Sequence, residues 1–404
     1  MLTVPRRIAI AYDCLYPFTT GGGERQYRAF AREIATRGNE VEYLTALQWE
    51  GKPPTDEPFR VRATSPRLNL YDVHGVRRSA AALSFAWHLF TALRRSRHDY
   101  DAVVVSALPV LNVFAARAAL WGSRTVVIAD YLEVWRRRQW LQYAGHITGT
   151  VAWALQRAAI ALTPVATCHS ELSAQRLRAE GLRGDLLVSP GLIEADITTA
   201  SDAATPTHPP FALYAGRHIA DKQVETIPAA VAKARATVPD LRLVILGSGS
   251  STPEVERAID AVDGRNWCDL RGFVAQTDLE TLMAQAAVLV NPSRREGYGL
   301  VVVEAAAHGT PVVLVSGEGN ASTELIDEGR NGFIAPSTHA DDLGSAIARA
   351  VTGGAVLRET TRHWYGDAVE NRTIARTIDA ILECVDAKSA SRSPRRRRQR
   401  AENT

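Results

Sequence analysis

The chain has 404 residues, of which 46% are hydrophobic and 23% charged. At about 150 residues per domain, this length predicts two or three domains, each able to bury a core. The cysteines Cys14, Cys168, Cys268 and Cys384 are too scattered for a metal knuckle and too few for a disulfide framework. The sequence has no signal-peptide core and no run of about 18 apolar residues. A stapled mini-protein and a membrane-spanning chain are therefore excluded, and we expect a cytoplasmic location.

The net charge of +3 is unevenly distributed along the chain. The last 18 residues contain seven basic residues and one acidic residue, so residues 1–386 carry a net charge of −3. A run of like charges flanked by Ser and Pro is typical of a solvated tail, and the alternative is an anchor for anionic lipid or nucleic acid. We predict a disordered basic tail at 388–404 and expect no specific nucleic-acid partner.

The first half of the chain predicts strands and helices in alternation. Gly21-Gly22-Gly23 separates an apolar strand from a helix with apolar residues at helical spacing, and Gly38 ends that helix before the next strand. This is the pattern of a βαβ unit with parallel strands. The strands predicted in residues 1–196 are Ile8–Ala11, Val41–Leu44, Ala102–Ser106, Thr125–Ile128 and Leu186–Ser189.

The second half repeats the pattern after a predicted linker at 197–210, which is rich in Thr, Ala and Pro. We predict a second domain at 211–365 and a C-terminal helix at 366–387 that returns to the first domain. The fold class is α/β, with two Rossmann-like doubly wound domains facing each other across a cleft. The strands predicted in the second domain are Phe211–Ala215, Leu243–Leu246, Trp267–Leu270, Val288–Val290 and Val312–Val315.

Two glutamates flank a predicted helix start in the second domain. Glu296 lies in a loop and Glu304 lies inside the helix, while Gly297, Tyr298, Gly299 and Leu300 form the junction. Backbone N–H groups at a helix start suit a phosphate, and carboxylates accept hydrogen bonds from hydroxyls. Together they describe a nucleoside-diphosphate sugar. The alternative is two solvated glutamates around an ordinary helix start.

Two cations follow the first strand of the second domain. Arg217 and Lys222 would neutralise the charge that develops on a departing diphosphate. The alternative is a pair of surface cations on a loop. No metal site is predicted and no cofactor is expected, because the nucleotide sugar is a substrate.

These motifs, with Tyr16-Pro17-Phe18 and the stretch Gly21 to Arg25, resemble the family-4 retaining glycosyltransferases of the GT-B fold over most of residues 6–386. The resemblance implies an acceptor-binding first domain and a donor-binding second domain. It also implies that Arg217 and Lys222 hold the donor pyrophosphate, that Glu296 holds the transferred sugar and that Glu304 holds the ribose. Backbone at Gly22, Gly23, Tyr298, Gly299 and Leu300 would complete the phosphate cradle, and Arg271, Phe273 and Val274 would meet the nucleotide base.

The sequence departs from the family at one position. Where many members carry a histidine near the transferred sugar, this chain has Leu132, and the nearest histidine along the chain is His146. We consider two alternatives: Asp130 or Glu133 takes over the polar contact on the acceptor side, or the acceptor is positioned differently.

The predicted function is a metal-independent, retaining hexosyltransferase of carbohydrate biosynthesis. Its donor would be a UDP- or GDP-linked sugar, and its acceptor a hydroxyl on a small molecule, a glycan or a lipid-linked sugar. The alternatives are an epimerase or phosphorylase on the same fold and a non-catalytic scaffold. The helix Arg77 to Arg95 and the segment Trp135 to Trp140 pair arginines with large apolar residues, so peripheral contact with an anionic inner membrane face is weighed against core packing.

Overall fold

The computed structural model describes residues 5–19, 21–70, 77–194 and 207–391. The chain divides into two compact units: Met1–Glu194 together with Arg372–Thr404, and Ala195–Asn371. Most of the predicted linker, 197–206, and the tail from 392 onward lie outside the described residues.

The first unit contains a parallel sheet that has seven strands in the described part of the chain. Its central strands are buried along their whole length, which explains why they consist of continuous apolar runs such as Ala-Val-Val-Val. The strands are β1 (Arg7–Ala11), β2 (Glu40–Ala46), β3 (Arg60–Ser65), β4 (Ala102–Ser106), β5 (Val126–Tyr131), β6 (Val165–Cys168) and β7 (Asp185–Val188). The helices are α1 (Gly22–Thr36), α2 (Ser79–Arg95), α3 (Leu111–Ala119), α4 (Arg137–Ala144), α5 (His146–Leu162) and α6 (Glu171–Ala179).

The second unit has a six-stranded parallel sheet and a separate two-stranded pair within the described residues. The strands of the larger sheet are β8 (Phe211–Ala215), β9 (Arg242–Leu246), β10 (Cys268–Arg271), β11 (Val288–Asn291), β13 (Val312–Val315) and β15 (Gly332–Ala335), and the pair is β12 (Arg295–Glu296) with β14 (Gly319–Asn320). The helices are α7 (Ile227–Ala234), α8 (Thr252–Asp260), α9 (Gln276–Gln285), α10 (Leu300–Ala307) and α11 (Ala340–Asn371), the last kinked at Gly354.

Both large sheets have the doubly wound strand order. The order is β3-β2-β1-β4-β5-β6-β7 in the first unit and β10-β9-β8-β11-β13-β15 in the second. In each sheet the chain runs outward from an interior strand and then returns to that strand's other side. The reversal lies between β1 and β4 in one unit and between β8 and β11 in the other. Doubly wound sheets bind ligands at the carboxyl ends of the strands at this reversal.

The predicted α/β class with two Rossmann-like doubly wound units is confirmed. The sequence patterns missed β3, β6, β15 and the short pair β12 and β14. Glu296, predicted to lie in a loop, is the last residue of β12. Strand β15 begins with Gly332, where a Cβ would lie 1.9 Å from the Val312 carbonyl oxygen, so close strand packing replaces an apolar side chain. Strand β6, Val-Ala-Thr-Cys, contains a single branched apolar residue and does not stand out as an apolar run.

The C-terminal helix α12 (Ile374–Ser391) belongs to the first unit. The Arg372 carbonyl accepts a bond from the Ile193 N–H (3.0 Å), and the Ile193 carbonyl accepts one from the Ile374 N–H (2.9 Å). On α12, Asp379 pairs with Arg37, the residue that follows α1 (2.9 Å).

The predicted boundaries at this end of the chain need two corrections. Helix α11 continues to Asn371, beyond the predicted domain end at 365, because its second half after Gly354 still buries Leu357, Trp364 and Tyr365. The tail was predicted to begin at 388, yet α12 continues to Ser391. Lys388 pairs with Asp185 at 2.5 Å, which holds this last turn on the first unit.

None of the described helices is both long enough and apolar enough to cross a lipid bilayer.

Gly247→Ala should destabilise the second unit much more than Gly329→Ala does. Both glycines have a positive φ, at +111° and +78°, but only at Gly247 would a Cβ meet backbone, 2.0 Å from the Gly216 carbonyl oxygen. We expect a loss of about 3 kcal/mol or more for Gly247→Ala and about 1 kcal/mol for Gly329→Ala, measured by urea unfolding. Equal losses would show that the close approach of β8 and β9 does not constrain Gly247.

Candidate functional site

The two motifs that lie about 75 residues apart in the second unit meet at the strand reversal. Arg217 and Lys222 follow β8, and Glu296 follows β11. Strands β8 and β11 are neighbours in the sheet, with Val288 opposite Ala212 and Leu289 opposite Leu213. Their carboxyl ends therefore deliver both motifs to one edge.

Lys222 and Glu296 form the central contact of this edge. The Lys222 Nζ lies 2.5 Å from the Glu296 Oε1, and the Asn291 side-chain amide donates to the same oxygen at 3.2 Å. The Lys222 and Glu296 side chains are 22% and 15% exposed, so the charge-assisted bond is shielded but open on one side. A phosphate and a hydroxyl could be recognised side by side here.

A second ionic contact joins the same two segments one residue earlier. The Asp221 carboxylate accepts bonds from Arg294 (2.9 Å) and Arg295, and the Asp221 carbonyl accepts one from the Arg294 N–H (2.9 Å). Burial raises the pKa of Asp221, but the bonds from Arg295 and Arg294 outweigh it, so the pKa lies below its ordinary value. The carboxylate therefore stays charged and fixes the position of Lys222.

The sequence analysis did not assign roles to Asp221, Arg295 or Asn291. A signal was present: Asp221-Lys222 and Arg295-Glu296 are adjacent pairs with opposite charge order. Two such pairs attract each other at both positions when they lie side by side. Only the sheet shows that they do.

The helix start between the glutamates has the geometry that a phosphate site requires. Gly299 precedes α10 with φ of +98°, and a Cβ there would lie 2.4 Å from the Ser322 Cβ. Only glycine permits this backbone, which follows Gly297 and Tyr298 and leads directly into Leu300. The first N–H groups of a helix have no partner within the helix and carry the positive end of its dipole.

Glu304 lies one helical turn into α10 and is half-buried. Its side chain is on the same face of the helix as Leu300 because residues four apart are neighbours on the helix surface. A ligand held at the helix start would therefore have a carboxylate within one turn.

The Arg217 side chain is exposed, and a hydrogen bond from Tyr214 fixes its backbone. The Tyr214 hydroxyl donates to the Arg217 carbonyl at 3.0 Å. Burial raises the pKa of Tyr214, so this phenol remains a donor at neutral pH. The guanidinium is thus carried by a fixed backbone at the end of β8.

The residues predicted to meet the nucleotide base lie at the carboxyl end of β10. Arg271 pairs with Asp269 at 2.5 Å, Val274 is half-buried and Phe273 is 69% exposed. The Gly247 N–H donates to the Arg271 and Gly272 carbonyls at 3.1 Å each. These bonds join the segment that follows β10 to the end of β9. The contact of Arg271, Phe273 and Val274 with a nucleotide base stays a prediction.

In the first unit, the glycine loop lies against Leu132, the residue that the resemblance aligns with the family's histidine. A Cβ on Gly23 would lie 3.1 Å from the Tyr12 hydroxyl oxygen and 3.2 Å from the Leu132 Cδ1. Leu132 is therefore beside the start of α1, as its place in the motif implies. The phosphate role of Gly22 and Gly23 stays a prediction.

Asp130 is a buried structural hub and does not present its carboxylate to an acceptor. It has no exposed surface and accepts bonds from Tyr27 (2.7 Å), Gln26 (3.1 Å), Thr167 and the His169 Nε2 (2.9 Å). Burial raises its pKa, but the His169 imidazole and the bonds from His169, Thr167 and Tyr27 hold it below the ordinary value of 3.8.

Glu133 is half-buried, and its Oε2 accepts a bond from the Trp135 indole N–H at 2.6 Å. Of the two carboxylates considered for the acceptor side, Glu133 is the more accessible.

A histidine does reach this strand end: His169, 37 residues beyond Leu132 in the chain, bonds to Asp130. Strand β6 lies beside β5, with Asp130 opposite Thr167 and Tyr131 opposite Cys168, so the sheet brings His169 to Asp130. Along the chain, the histidine nearest to Leu132 is His146 instead.

Within residues 5–19, 21–70, 77–194 and 207–391, no group of three or more His, Cys, Asp or Glu side chains could together hold a metal ion.

The two Rossmann-like units place the protein among GT-B proteins. The structure of sucrose-phosphate synthase from Thermosynechococcus elongatus aligns with a TM-score of 0.76 at 18% identity, covering 95% of this chain and 99% of that one. This likeness shows the fold.

Family models match both halves of the chain: "Glycosyltransferase Family 4" over residues 20–194 and "Glycosyl transferases group 1" over residues 198–368. The chain therefore belongs to the family-4 glycosyltransferases, and the recognition made from its motifs is confirmed.

Two curated relatives differ in how much of the chain they match. An alpha-D-kanosaminyltransferase from Streptomyces kanamyceticus is 30% identical over 140 residues, so the chain spans only 36% of that relative, and the match covers 35% of this chain. A GDP-mannose-dependent alpha-(1-6)-phosphatidylinositol monomannoside mannosyltransferase from Mycobacterium tuberculosis is 23% identical over 384 residues, 88% of this chain and 94% of the relative.

Asp130→Asn should destabilise the protein by about 2–4 kcal/mol at neutral pH, because one buried acceptor serves four donors. Glu133→Gln, which alters a more exposed carboxylate, is the matched control and should cost about 1 kcal/mol or less. Since folding lowers the pKa of Asp130 below 3.8, its contribution is complete above that pH and is lost as the pH falls through the folded-state pKa.

Urea unfolding of the wild type and both variants, from neutral pH to below 3.8, measures the free energy of unfolding at each pH. The difference between the wild type and Asp130→Asn should narrow in acid. A difference that is small at neutral pH, or that grows in acid, would contradict the structural role of Asp130.

Proposed function

We propose that the protein transfers a sugar from a UDP- or GDP-linked donor to an acceptor hydroxyl, with retention of the anomeric configuration and without a metal ion. Membership in family 4 supports the reaction class. The observation that carries the proposal is the meeting of Lys222 and Glu296 at the strand reversal, beside the start of α10.

The donor diphosphate would bind to positive charge that the fold supplies. Lys222, Arg217 and the N–H groups at the start of α10 contribute this charge, and Glu304 would accept hydrogen bonds from the ribose. A fixed cation stabilises a leaving diphosphate without reorganising at the moment of reaction. The contacts of Asp221 with Arg294 and Arg295 would keep Lys222 in place when Glu296, its carboxylate partner, binds the substrate.

Glu296 would hold the transferred sugar. Lys222 and Asn291 both bond to its Oε1, which fixes the orientation of the carboxylate. As the bond between the sugar and the diphosphate breaks, the ring gains positive charge, and a fixed carboxylate favours that change.

Retention would follow from attack on the face from which the diphosphate leaves. The acceptor oxygen forms the new bond to the anomeric carbon, the anomeric carbon–phosphate oxygen bond breaks, and the departing phosphate oxygen takes the acceptor's proton. The products are the glycoside and the nucleoside diphosphate.

We also propose a cytoplasmic enzyme that touches an anionic membrane face. The support is the clustering of arginines with large apolar residues in Arg77 to Arg95 and Trp135 to Trp140. The acceptor would be a hydroxyl compound, whether small, glycan or lipid-linked.

The function is tested by measuring nucleoside diphosphate release from a panel of UDP- and GDP-sugars with candidate acceptors in excess EDTA. We expect acceptor-dependent release that EDTA does not reduce, and a product with the donor's anomeric configuration by NMR. Lys222→Ala should slow release about 100-fold or more with an unchanged melting temperature. Activity that needs added Mg²⁺ or Mn²⁺ would refute metal independence, and release of sugar phosphate would identify a phosphorylase.

Glu304→Gln and Glu296→Gln should affect different kinetic constants. A ribose contact stabilises ground state and transition state equally, so Glu304→Gln should mainly raise the donor KM. Glu296→Gln should mainly lower kcat, since its charge matters most as the ring becomes positive. Initial rates at saturating acceptor separate the two effects, and the reverse pattern would mean that the nucleotide lies the other way round.

A further inference from the structure

Residues 77–170 carry an unusual excess of positive charge. They contain eleven arginines and four acidic residues, although residues 1–386 as a whole are net negative. The acidic residues are Asp99, Asp101, Asp130 and Glu133, and none of them lies on α2, α3, α4 or α5. Asp130 is fully buried, and the Asp101 carboxylate accepts the Arg7 N–H at 2.9 Å.

The helices α2, α3 and α5 cover one side of the first sheet. They connect β3 to β4, β4 to β5 and β5 to β6, and these successive right-handed crossovers place them on the same side. Helix α3 packs against both α2 and α5. Their inward residues Leu89, Val113 and Ile160 share one core, so their outward residues share one surface.

That outward surface is apolar along α5. Ile147, Val151, Leu155 and Leu162 are 84%, 54%, 37% and 46% exposed, and their spacing puts them on one side of the helix. The opposite side of α5 buries Gln156, Ala159 and Ile160.

Helix α2 repeats the arrangement. Phe85, Leu89 and Leu93 face the core, while Leu83 and Trp87 are 60% and 64% exposed. Core packing, one of the two interpretations of this helix, is confirmed, and the helix also has an outward apolar face. Trp121, just after α3, adds a third exposed position at 72%.

Exposed arginines lie on the helices that carry these apolar positions and on α4, which packs against α5. Arg136, Arg137 and Arg138 are exposed at the start of α4, and Arg94 and Arg95 are exposed at the end of α2. Of the acidic groups that neighbouring elements bring to α5, Glu180 is paired with Arg157 at 3.5 Å. The charged side chains on α2, α4 and α5 are therefore all cationic, apart from the histidines.

We propose that this surface, defined by Leu83, Trp87, Trp121, Ile147, Val151, Leu155 and Leu162, inserts its side chains into an anionic lipid bilayer. The apolar side chains would enter the acyl boundary while the arginines contact lipid phosphates. A second copy of the chain fits less well, because an isologous contact would bring like-charged arginines together. Binding does not depend on the transfer reaction proposed above.

The test is vesicle cosedimentation of the full-length protein at about 0.1 M NaCl, where the Debye length is about 10 Å. The vesicles contain phosphatidylcholine alone or with about 30% phosphatidylglycerol. The apolar variant is Ile147→Ser/Val151→Ser/Leu155→Ser, with Val356→Ser, a 73% exposed valine of the second unit, as the matched control. A third full-length variant replaces Arg395 to Arg398 by Ser, which isolates the basic tail.

We expect the wild type to bind the anionic vesicles at least about tenfold more tightly than the neutral ones. The apolar variant should lose about tenfold or more of this affinity, while Val356→Ser stays at the wild-type level. The tail variant should retain most of the binding. Unchanged melting temperatures and unchanged transfer to a soluble acceptor would show that fold and active site are intact.

Three results would overturn the proposal. Equal affinity of the apolar variant and the wild type would show that the surface does not enter the bilayer. Loss of binding only in the tail variant would assign membrane contact to the tail. A wild-type dimer in sedimentation velocity that the apolar variant abolishes, without vesicle binding, would assign the surface to a second copy.

Discussion

The structure of the second unit's site depends on the opposite charges that join the ends of β8 and β11. Asp221 binds Arg294 and Arg295 while Lys222 binds Glu296, so two adjacent ionic contacts hold two distant segments in one register. Each charge taken from water is matched by a bonded partner, which is the condition for burying charge at acceptable cost. The start of α10 and Glu304 follow from this register, because the chain runs directly from Glu296 into that helix.

The two units place charged side chains differently at their strand reversals. In the second unit the Lys222 and Glu296 side chains keep 22% and 15% of their surface exposed. In the first unit Asp130 is sealed and binds Gln26 and Tyr27 near the start of α1 together with His169 after β6. One arrangement leaves charged groups accessible, and the other uses charge to hold α1 against the sheet. This difference explains why Asp130, although acidic and at a strand end, is a structural residue.

The helices on one side of the first sheet have apolar residues both on the side that packs in the core and on the side exposed to solvent. Helix α5 buries one side in the core and leaves Ile147 and Val151 exposed on the other. A helix needs only one apolar stripe to pack on a sheet, so a second stripe is not required for folding. Together with the surrounding arginines, it makes the outward surface suited to an anionic partner.

The sequence by itself determined the fold class, because buried parallel strands must be continuous apolar runs and glycine turns must mark the start of their helices. Ala102–Ser106, Phe211–Ala215 and Val312–Val315 were predicted with the bounds that the structure has. The same patterns placed Arg217, Lys222, Glu296 and Glu304 at strand ends and a helix start, since those positions follow from local order along the chain. Strand β6, Val-Ala-Thr-Cys, was missed because it lacks the continuous run of branched apolar residues that marks the equally short Val312–Val315.

Only the tertiary structure decided which of these residues meet and which are sealed. Lys222 and Glu296 are 74 residues apart, and their contact exists because β8 and β11 are neighbours in the sheet. Likewise, His169 reaches Asp130 through the pairing of β5 with β6, which no spacing in the sequence reveals. Local patterns report which face of an element is apolar, whereas pairing between distant strands depends on the packing of the whole sheet, and that packing sets every partner in the site.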